Sequence, residues 1–304
     1  MSYTVRMKVT LMGTGTSHGV PVIGCTCAVC TSCDPRDRRF RCSAWVSEPA
    51  SVVIDTGPEF RLQALAHGIT RLDAVLITHG HADHLNGLDD LRVFSHTKAG
   101  GAMCHAGTET AGEGLPIYAN AKAVADIKKR FDYIFRPTSE GGGKPKISLH
   151  ELGDEPSGAS FFINTLEVFP VPLRHGTLPV LGWLLREKKA DGTVHGIAYL
   201  TDCNHMSEAA FSLVRGNAGV LEHVVIDGLR PWAHSTHFSF FEALSCAERL
   251  GGRHTWLTHM THDMGHAEIE AYCAKELHRF PKIESNVLNG GSVAPAYDGL
   301  VLEA

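Results

Sequence analysis

The sequence predicts an α/β fold in a single domain over residues 1–304, and three observations carry that reading. Short β-branched runs alternate with amphipathic stretches in both halves, the pattern of sheets covered by helices. The polar residues able to do chemistry recur just after apolar runs, as they do where ligands converge at the strand ends of α/β sheets. No linker, low-complexity tract or internal repeat divides the 304 residues, a length that suits two typical domains or one large one.

The elements follow in order. Residues 5–12 read as a strand, broken by Gly13-Thr14-Gly15. A cysteine-rich loop at about 24–42 comes next, then strands near 42–46 and 51–54. Residues 58–66 look helical, with Pro58 tolerated in the first turn. The run 72–78 is a short apolar segment of buried-strand type, and 121–131 is an amphipathic helix. In the second half, strands are expected at 161–169, 181–186, 197–200, 223–226 and 255–257, and helices at 207–215, 240–250 and 266–279. Two glycine-containing stretches, 95–114 and 138–146, read as loops, as surface insertions in preference to lids.

Composition bounds the function. With 43% hydrophobic and 20% charged residues the chain is not disordered. A formal charge of −5 supplies no basic field for nucleic acid or anionic lipid. No apolar run approaches the ~18 residues of a membrane span, and the N-terminus lacks a signal-peptide core, so a cytoplasmic protein is expected. The 19 histidines and 9 cysteines are the unusual counts. An odd cysteine number without a secretion signal argues against a disulfide framework, and Cys25, Cys27, Cys30, Cys33 and Cys42 crowd one stretch. Clustered thiols with abundant imidazole suggest transition-metal chemistry, most simply zinc.

The strongest motif is Thr78-His79-Gly80-His81-Ala82-Asp83-His84, directly after an apolar run. His79 and His81 are two apart and share a side of an extended backbone. Asp83 and His84 follow where the chain turns into a helix and diverge enough to serve a second ion. The alternative is a polar loop of solvated histidines, which this density after a buried strand disfavours. His175, Asp202 and His259 each follow a further apolar run. Alone, each would read as a hydrogen-bonded loop residue; together they complete a binuclear ligand set.

In this order the residues resemble the metallo-β-lactamase superfamily, whose hydrolases carry His-x-His-x-Asp-His, a lone His, a bridging Asp and a final His. The resemblance implies an αββα sandwich, two mixed sheets face to face with helices outside. It implies that His79, His81 and His175 hold one metal, that Asp83, His84 and His259 hold the other, and that Asp202 bridges. The glycine-rich start 13–21, Cys25-x-Cys27-x-x-Cys30, and His262 three beyond His259 resemble the PhnP-like phosphodiesterase branch. Three thiolates and one imidazole suit a closed structural zinc; reduced core thiols are the weaker alternative. The same resemblance points to His237 as an assisting catalytic residue, with His234 its local competitor and capping of a helix near Ser239 the bland alternative. The Arg36-Arg41 run and the glycine-rich insertion after Leu91 are not features of that branch; the run reads as a structural loop rather than a phosphate contact.

The expected cofactors are therefore two catalytic divalent metals, zinc or manganese, and one structural zinc. Two such metals can share a hydroxide and clamp an in-line displacement. Asp202 would fix their separation, and His237 would stabilise the phosphorane or protonate the leaving alkoxide. Asp55, after the run 52–54, is placed to orient a ligating histidine. The expected function is a phosphodiesterase on small cyclic or diester phosphates, with a thioester or lactone hydrolase as the alternative and a non-catalytic metal protein third. The expected partner is a small phosphorylated substrate, with no membrane or nucleic acid, and a homodimer is left open.

Overall fold

The computed structural model describes residues 6–95, 114–136, 144–155 and 157–304. Strands β1 (Lys8–Gly13), β2 (Ser43–Glu48), β3 (Val52–Ile54), β4 (Ala74–Leu76), β5 (Leu115–Asn120) and β6 (Ile147–Leu152) lie in one sheet. A second sheet holds β7 (Phe161–Ile163), β8 (Leu166–His175), β9 (Leu178–Lys188), β10 (Val194–Leu200), β11 (Val220–Asp227), β12 (His254–Thr258) and β13 (Ser292–Pro295) in unbroken chain order. The last strand, β14 (Leu300–Glu303), returns to pair antiparallel with β1 and completes seven strands in the first sheet. Both sheets are mixed, parallel from β3 to β6 and from β10 to β13.

Period-two alternation sorts the side chains into layers. Val52, Ile54, Ala74 and Leu76 face the other sheet, where they meet Leu181, Trp183, Tyr199 and Val225. Val53, Val75 and Ile77 face outward onto helices. Strands buried on both faces need a continuous apolar run, which is why 72–77 carries no solvent-facing polar alternation. Helices α1 (Phe60–Ala66), α2 (Ala82–Leu85), α3 (Arg92–Ser95), α4 (Ala121–Arg130) and α5 (Asp132–Phe135) supply the cover of the first sheet. The second is covered by α6 (Glu208–Asn217), α7 (Phe240–Leu250), α8 (His266–Glu276) and α9 (Pro281–Leu288). The result is the four-layer αββα sandwich expected above.

Several ends are set locally. Asn120 and Ser207 each accept a backbone N–H at the start of α4 and α6, and Ser239 forms a capping box with Glu242 at α7. Gly13 is forced by crowding: a Cβ there would lie 1.9 Å from the Arg41 carbonyl. One expected element is corrected. Residues 161–169 are not one strand but the β7–β8 hairpin, with Ile163 paired to Leu166 and Asn164 at φ 54° in the turn. Asn tolerates the left-handed region better than most residues, so Asn164-Thr165 reverses the chain inside an apolar stretch. The helix expected over 266–279 ends at Glu276, its last turn tightening to a 3₁₀ turn at Leu277–Arg279. The expected loop at 95–114 lies outside the described residues except at its two ends, as does most of 138–146.

The topology positions the site. β8 and β10 are both antiparallel to β9, and β10, β11 and β12 are parallel, so four strands share one direction. Their C-terminal ends lie at one rim of the second sheet. The end of β4 reaches the same rim, where Leu181 N–H donates to the Thr78 carbonyl across the sandwich at 2.9 Å.

Candidate metal centre

Five strand ends deliver the polar residues. β4 leads into Thr78 and His79, β8 ends at His175, β10 is followed by Asp202, β11 ends at Asp227 and β12 is followed by His259. Three residues at such ends adopt the left-handed conformation without being glycine: Asp55 (φ 61°), Asp202 (φ 51°) and His259 (φ 61°). That conformation costs about 1–3 kcal/mol at each non-glycine position, and all three line this rim. Gly57 permits the motif to come close, because a Cβ there would sit 2.2 Å from the Asp83 carbonyl.

The side chains converge on two carboxylates. Nε2 of His84 lies 3.2 Å from both Asp83 Oδ2 and Asp202 Oδ2. Nε2 of His259 lies 2.8 Å from Asp202 Oδ1 and 3.9 Å from Asp83 Oδ2, and Nε2 of His79 lies 3.5 Å from Asp202 Oδ2. Yet the Nε2 atoms of His79, His84 and His259 are buried without a hydrogen-bond partner. Imidazole nitrogens and carboxylate oxygens gathered around one point outside hydrogen-bond geometry are the arrangement a cation needs. Donors held ~2.0–2.2 Å from a tetrahedral ion stand ~3.4 Å apart, in the middle of these separations. The residues present therefore fit divalent metal.

Three donor groups share Asp202: Asp83, His84, Asp202 and His259 form the first, His79, His81 and Asp202 the second, and Asp202, Asp227, His237 and His259 a third that overlaps the first. His175 approaches the second by its ring, 5.2 Å from His81 and 5.8 Å from His79 between centroids. His81 is exposed at the mouth, whereas His79 and His84 are buried.

Burial and charge divide the titration of these groups. Burial holds His79 well below the usual imidazole range and lowers His81 and His175. Burial opposes charge on His84 and His259 as well, but the carboxylates beside them, Asp202 foremost, outweigh it and raise both. A cation entering here must displace protons from His84 and His259.

Three of the far nitrogens are fixed, while His259 Nδ1 is buried without a hydrogen-bond partner. His84 Nδ1 is 2.7 Å from Asp55 Oδ2, and Asp55 also accepts from Thr78 N–H and Oγ1–H at 2.8 Å each. Because the Thr78 hydroxyl donates to Asp55, it accepts from His79 Nδ1 at 3.0 Å. His175 Nδ1 donates to the Thr236 carbonyl at 2.8 Å. Each bond keeps the proton on Nδ1 and leaves Nε2 for the centre, and Asp55 stands where the sequence suggested a supporting carboxylate.

His237 sits against this cluster, its ring stacked 4.7 Å from His259 and edge-on 4.5 Å from His175. Its Nδ1 is 2.8 Å from Asp227 Oδ2, and the same oxygen accepts Cys203 N–H. The capping of α7 belongs to Ser239 and Glu242, which leaves His237 free of that task. Asp227 was not singled out in the sequence, although it ends an apolar run, Val224-Val225-Ile226, just as Asp202 follows one.

The second cluster is separate. Sγ of Cys25, Cys27 and Cys30 lie 3.4, 3.4 and 3.3 Å from His262 Nδ1. Zinc bonds of ~2.3 Å to sulfur and ~2.0–2.1 Å to nitrogen would space tetrahedral donors ~3.5 Å apart, so this donor set also fits. The Cys30 N–H donated to its sulfur is the main reason the Cys27 thiol is held at about 6, while burial and the neighbouring thiols push Cys30 up to about 11. Cys33 is exposed and Cys42 is buried beside Thr258, neither joining the cluster. In the arginine run, Arg36 pairs with Asp34, Arg41 pairs with Glu59, and buried Arg39 donates to Thr14 and the Ala296 carbonyl. Those three brace the loop rather than face the centre.

Comparison with known proteins agrees with this geometry. A family described as the beta-lactamase superfamily domain matches residues 50–260. A crystal structure described as a new diphosphatase from the PhnP family is 36% identical, with a TM-score of 0.76 and coverage of 98% of this chain and 97% of that one. The zinc-bound PqqB of Methylobacterium extorquens, 16% identical with a TM-score of 0.68 over 98% of this chain and 100% of its own, shares the fold. An octanoyltransferase of Porphyromonas gingivalis is 33% identical over 259 residues, 84% of this chain. The present chain spans only 46% of that relative's length.

Proposed function

The chain belongs to the beta-lactamase superfamily, in its PhnP-like branch, and on that premise we propose a metal-dependent phosphodiesterase acting on small cyclic or diester phosphates. The observation that carries the reading is a cradle of unpartnered imidazole nitrogens around Asp202 with a carboxylate-held imidazole, His237, packed beside it.

In this reading His79, His81 and His175 hold one cation, Asp83, His84 and His259 hold the other, and Asp202 serves both. The mixture of imidazole and carboxylate suits zinc or manganese. Cys25, Cys27, Cys30 and His262 hold a structural zinc. When bound, the cation pair supplies a nucleophile from water at neutral pH and clamps the oxygens of an in-line displacement. The protein's own residues do the rest. Asp55 and Thr78 keep the Nδ1 protons of His84 and His79 in place, so that both rings present Nε2. With its Nδ1–H held by Asp227, His237 in its doubly protonated form would deliver the Nε2 proton to the departing alkoxide. The whole chain acts as one cytoplasmic domain. Among the described residues no helix is long and apolar enough to cross a membrane.

The octanoyltransferase relative motivates one competing reading, acyl transfer to water from a thioester or lactone. The test is kcat/KM of the zinc- or manganese-loaded protein on five substrates: an aryl phosphodiester, a five-membered cyclic ribose phosphate, a dinucleoside diphosphate, a thioester and a lactone. Turnover of the two phosphodiesters with inert acyl substrates is expected. Rapid thioester hydrolysis without phosphodiester hydrolysis would transfer the assignment to acyl chemistry. Turnover of the diphosphate alone would replace it with a diphosphatase.

A further inference from the structure

His259 stands apart among the imidazoles of the centre. His79, His84 and His175 each have Nδ1 engaged by a neighbour, but Nδ1 of His259 is buried and has no partner. Its ring is therefore aimed by stacking on His237 and by its own backbone, at the left-handed φ of 61°. A non-glycine residue stays in that conformation only where its surroundings over-determine it. Here they are two backbone clamps. On one side, Gly228 N–H donates to the Thr258 carbonyl at 2.9 Å and Thr261 N–H to the Leu229 carbonyl at 3.0 Å. On the other, Met260 N–H donates to the Thr14 carbonyl and Thr16 N–H to the Met260 carbonyl, both at 3.0 Å. The first clamp continues β11. The second is the short segment 14–16 just past β1, and it needs support of its own.

Arg39 supplies that support. The residue is only 4% exposed. Its Nη1 donates to Thr14 Oγ1 at 2.9 Å and to the Ala296 carbonyl at 2.6 Å, and its Nη2 donates to His266 Nδ1 at 3.1 Å. The Thr14 hydroxyl donates onward to Asp298 Oδ1 at 2.8 Å, and Asp298 Oδ2 accepts Phe40 N–H at 2.6 Å. The Phe40 carbonyl in turn accepts Gly15 N–H at 2.8 Å. Segment 14–16 is thus held through a side chain at Thr14 and through the backbone at Gly15. The acceptors of Arg39 are a hydroxyl, a carbonyl and an imidazole lone pair, none of them negatively charged. A guanidinium buried against neutral acceptors is expensive, and an apolar side chain could fill the same space at lower cost. What the planar fork adds is direction: its donors fix where Thr14 stands.

We propose that Arg39 is a positioning residue for His259: it holds segment 14–16, which grips the Met260 peptide and so aims the unbonded imidazole at the cation shared with Asp83 and His84. Arg39 would do through the backbone what Asp55 does for His84 through a direct hydrogen bond. This rests on the metal pair of the proposed function and is independent of the substrate.

The experiment loads the whole chain with cobalt(II) and titrates it with EDTA. Thiolate-bound cobalt absorbs strongly in the near ultraviolet and cobalt held by imidazole and carboxylate absorbs weakly in the visible, so one titration reads the cysteine cluster and the catalytic centre separately. Arg39→Met and Thr14→Val should each release one ion of the centre at about 10- to 100-fold lower chelator than the wild type, the range that loss of an outer support costs a metal site. The thiolate band should titrate within about twofold of the wild type in both. Arg39→Lys, which can keep one of the bonds, should fall between wild type and Arg39→Met. If Arg39→Met fails to fold, Thr14→Val decides alone, since it keeps the guanidinium and removes only the hydroxyl between it and Asp298. Release at the wild-type chelator concentration, or equal weakening of the thiolate band, overturns the positioning role. A wild type without the visible bands overturns the metal pair and this role with it. Failure to hydrolyse any phosphodiester would overturn the substrate reading alone, with the chelator titration still deciding the role of Arg39.

Discussion

Two buried carboxylates do the same work on two imidazoles. Asp55 accepts a hydrogen bond from His84 Nδ1, and Asp227 accepts one from His237 Nδ1. On the proposed function the first would orient a metal donor and the second a proton donor. An aryl phosphodiester leaves as a stabilised phenolate and needs little help from an acid, whereas a cyclic ribose phosphate opens to an alkoxide. His237→Ala should therefore slow cyclic phosphate opening by about 10²–10⁴-fold and aryl diester hydrolysis far less. Asp202→Ala, which removes the carboxylate common to the donor groups, should abolish both. Parallel kcat/KM measurements decide it, and equal losses on the two esters in His237→Ala would remove the proton-delivery role. At this scale the sequence was informative wherever ligand types were dense. The 78–84 motif announced itself, and Asp202 and His259 followed from the strand ends that precede them. Asp227 was passed over because a single acid after a β-branched run is ordinary. Only the fold shows that its run is the neighbour of the one that delivers Asp202.

At the scale of elements, boundaries followed period and caps. α7 occupies the residues expected of it because Ser239, Glu242 and Gly251 mark both ends. β5, β6, β13 and β14 were not anticipated. β5 and β13 contain proline, which marks edge or irregular strands in a linear reading, and all four are placed by pairing with strands distant in sequence. The cysteine loop, by contrast, is an element defined by chemistry. Val20 and Arg39 exchange backbone hydrogen bonds at its base, and His262 reaches it from beyond β12. If a structural zinc closes it, Cys27→Ser should cut the metal content by one from three per chain and lower the melting temperature. The two remaining ions should stay with any soluble fraction. Elemental analysis beside thermal melts checks this. A variant that melts like the wild type but loses turnover selectively would make the thiol cluster catalytic.

For the molecule as a whole, the two sheets must stay in register for one to present β4 and the other to present β8 to β12 at a common rim. One tie lies on the edge strand β14, where His223 of the second sheet bonds the Glu303 carbonyl of the first at 3.1 Å. The other ring nitrogen, Nδ1, accepts from Trp256 Nε1–H at 3.1 Å, so the imidazole is neutral and both nitrogens are engaged. His254 stacks on it at 4.8 Å, and Glu222 and Arg253 pair nearby. Burial, the first cause, lowers His223 from 6.5 to about 4. The sign of the linkage follows. Between those values the unfolded chain binds the proton and the folded chain does not, so stability rises with pH. The contribution is full above pH 6.5 and is lost as pH falls through about 4. At 1.36 kcal/mol per pH unit it amounts to at most about 3 kcal/mol. Urea midpoints at pH 7.5 and about pH 4.5 for wild type and His223→Gln would test it. The wild type should lose more stability than the variant over that interval, because glutamine has no proton to gain. Equal losses would show that the acid sensitivity arises elsewhere and that this tie between the sheets carries no titration.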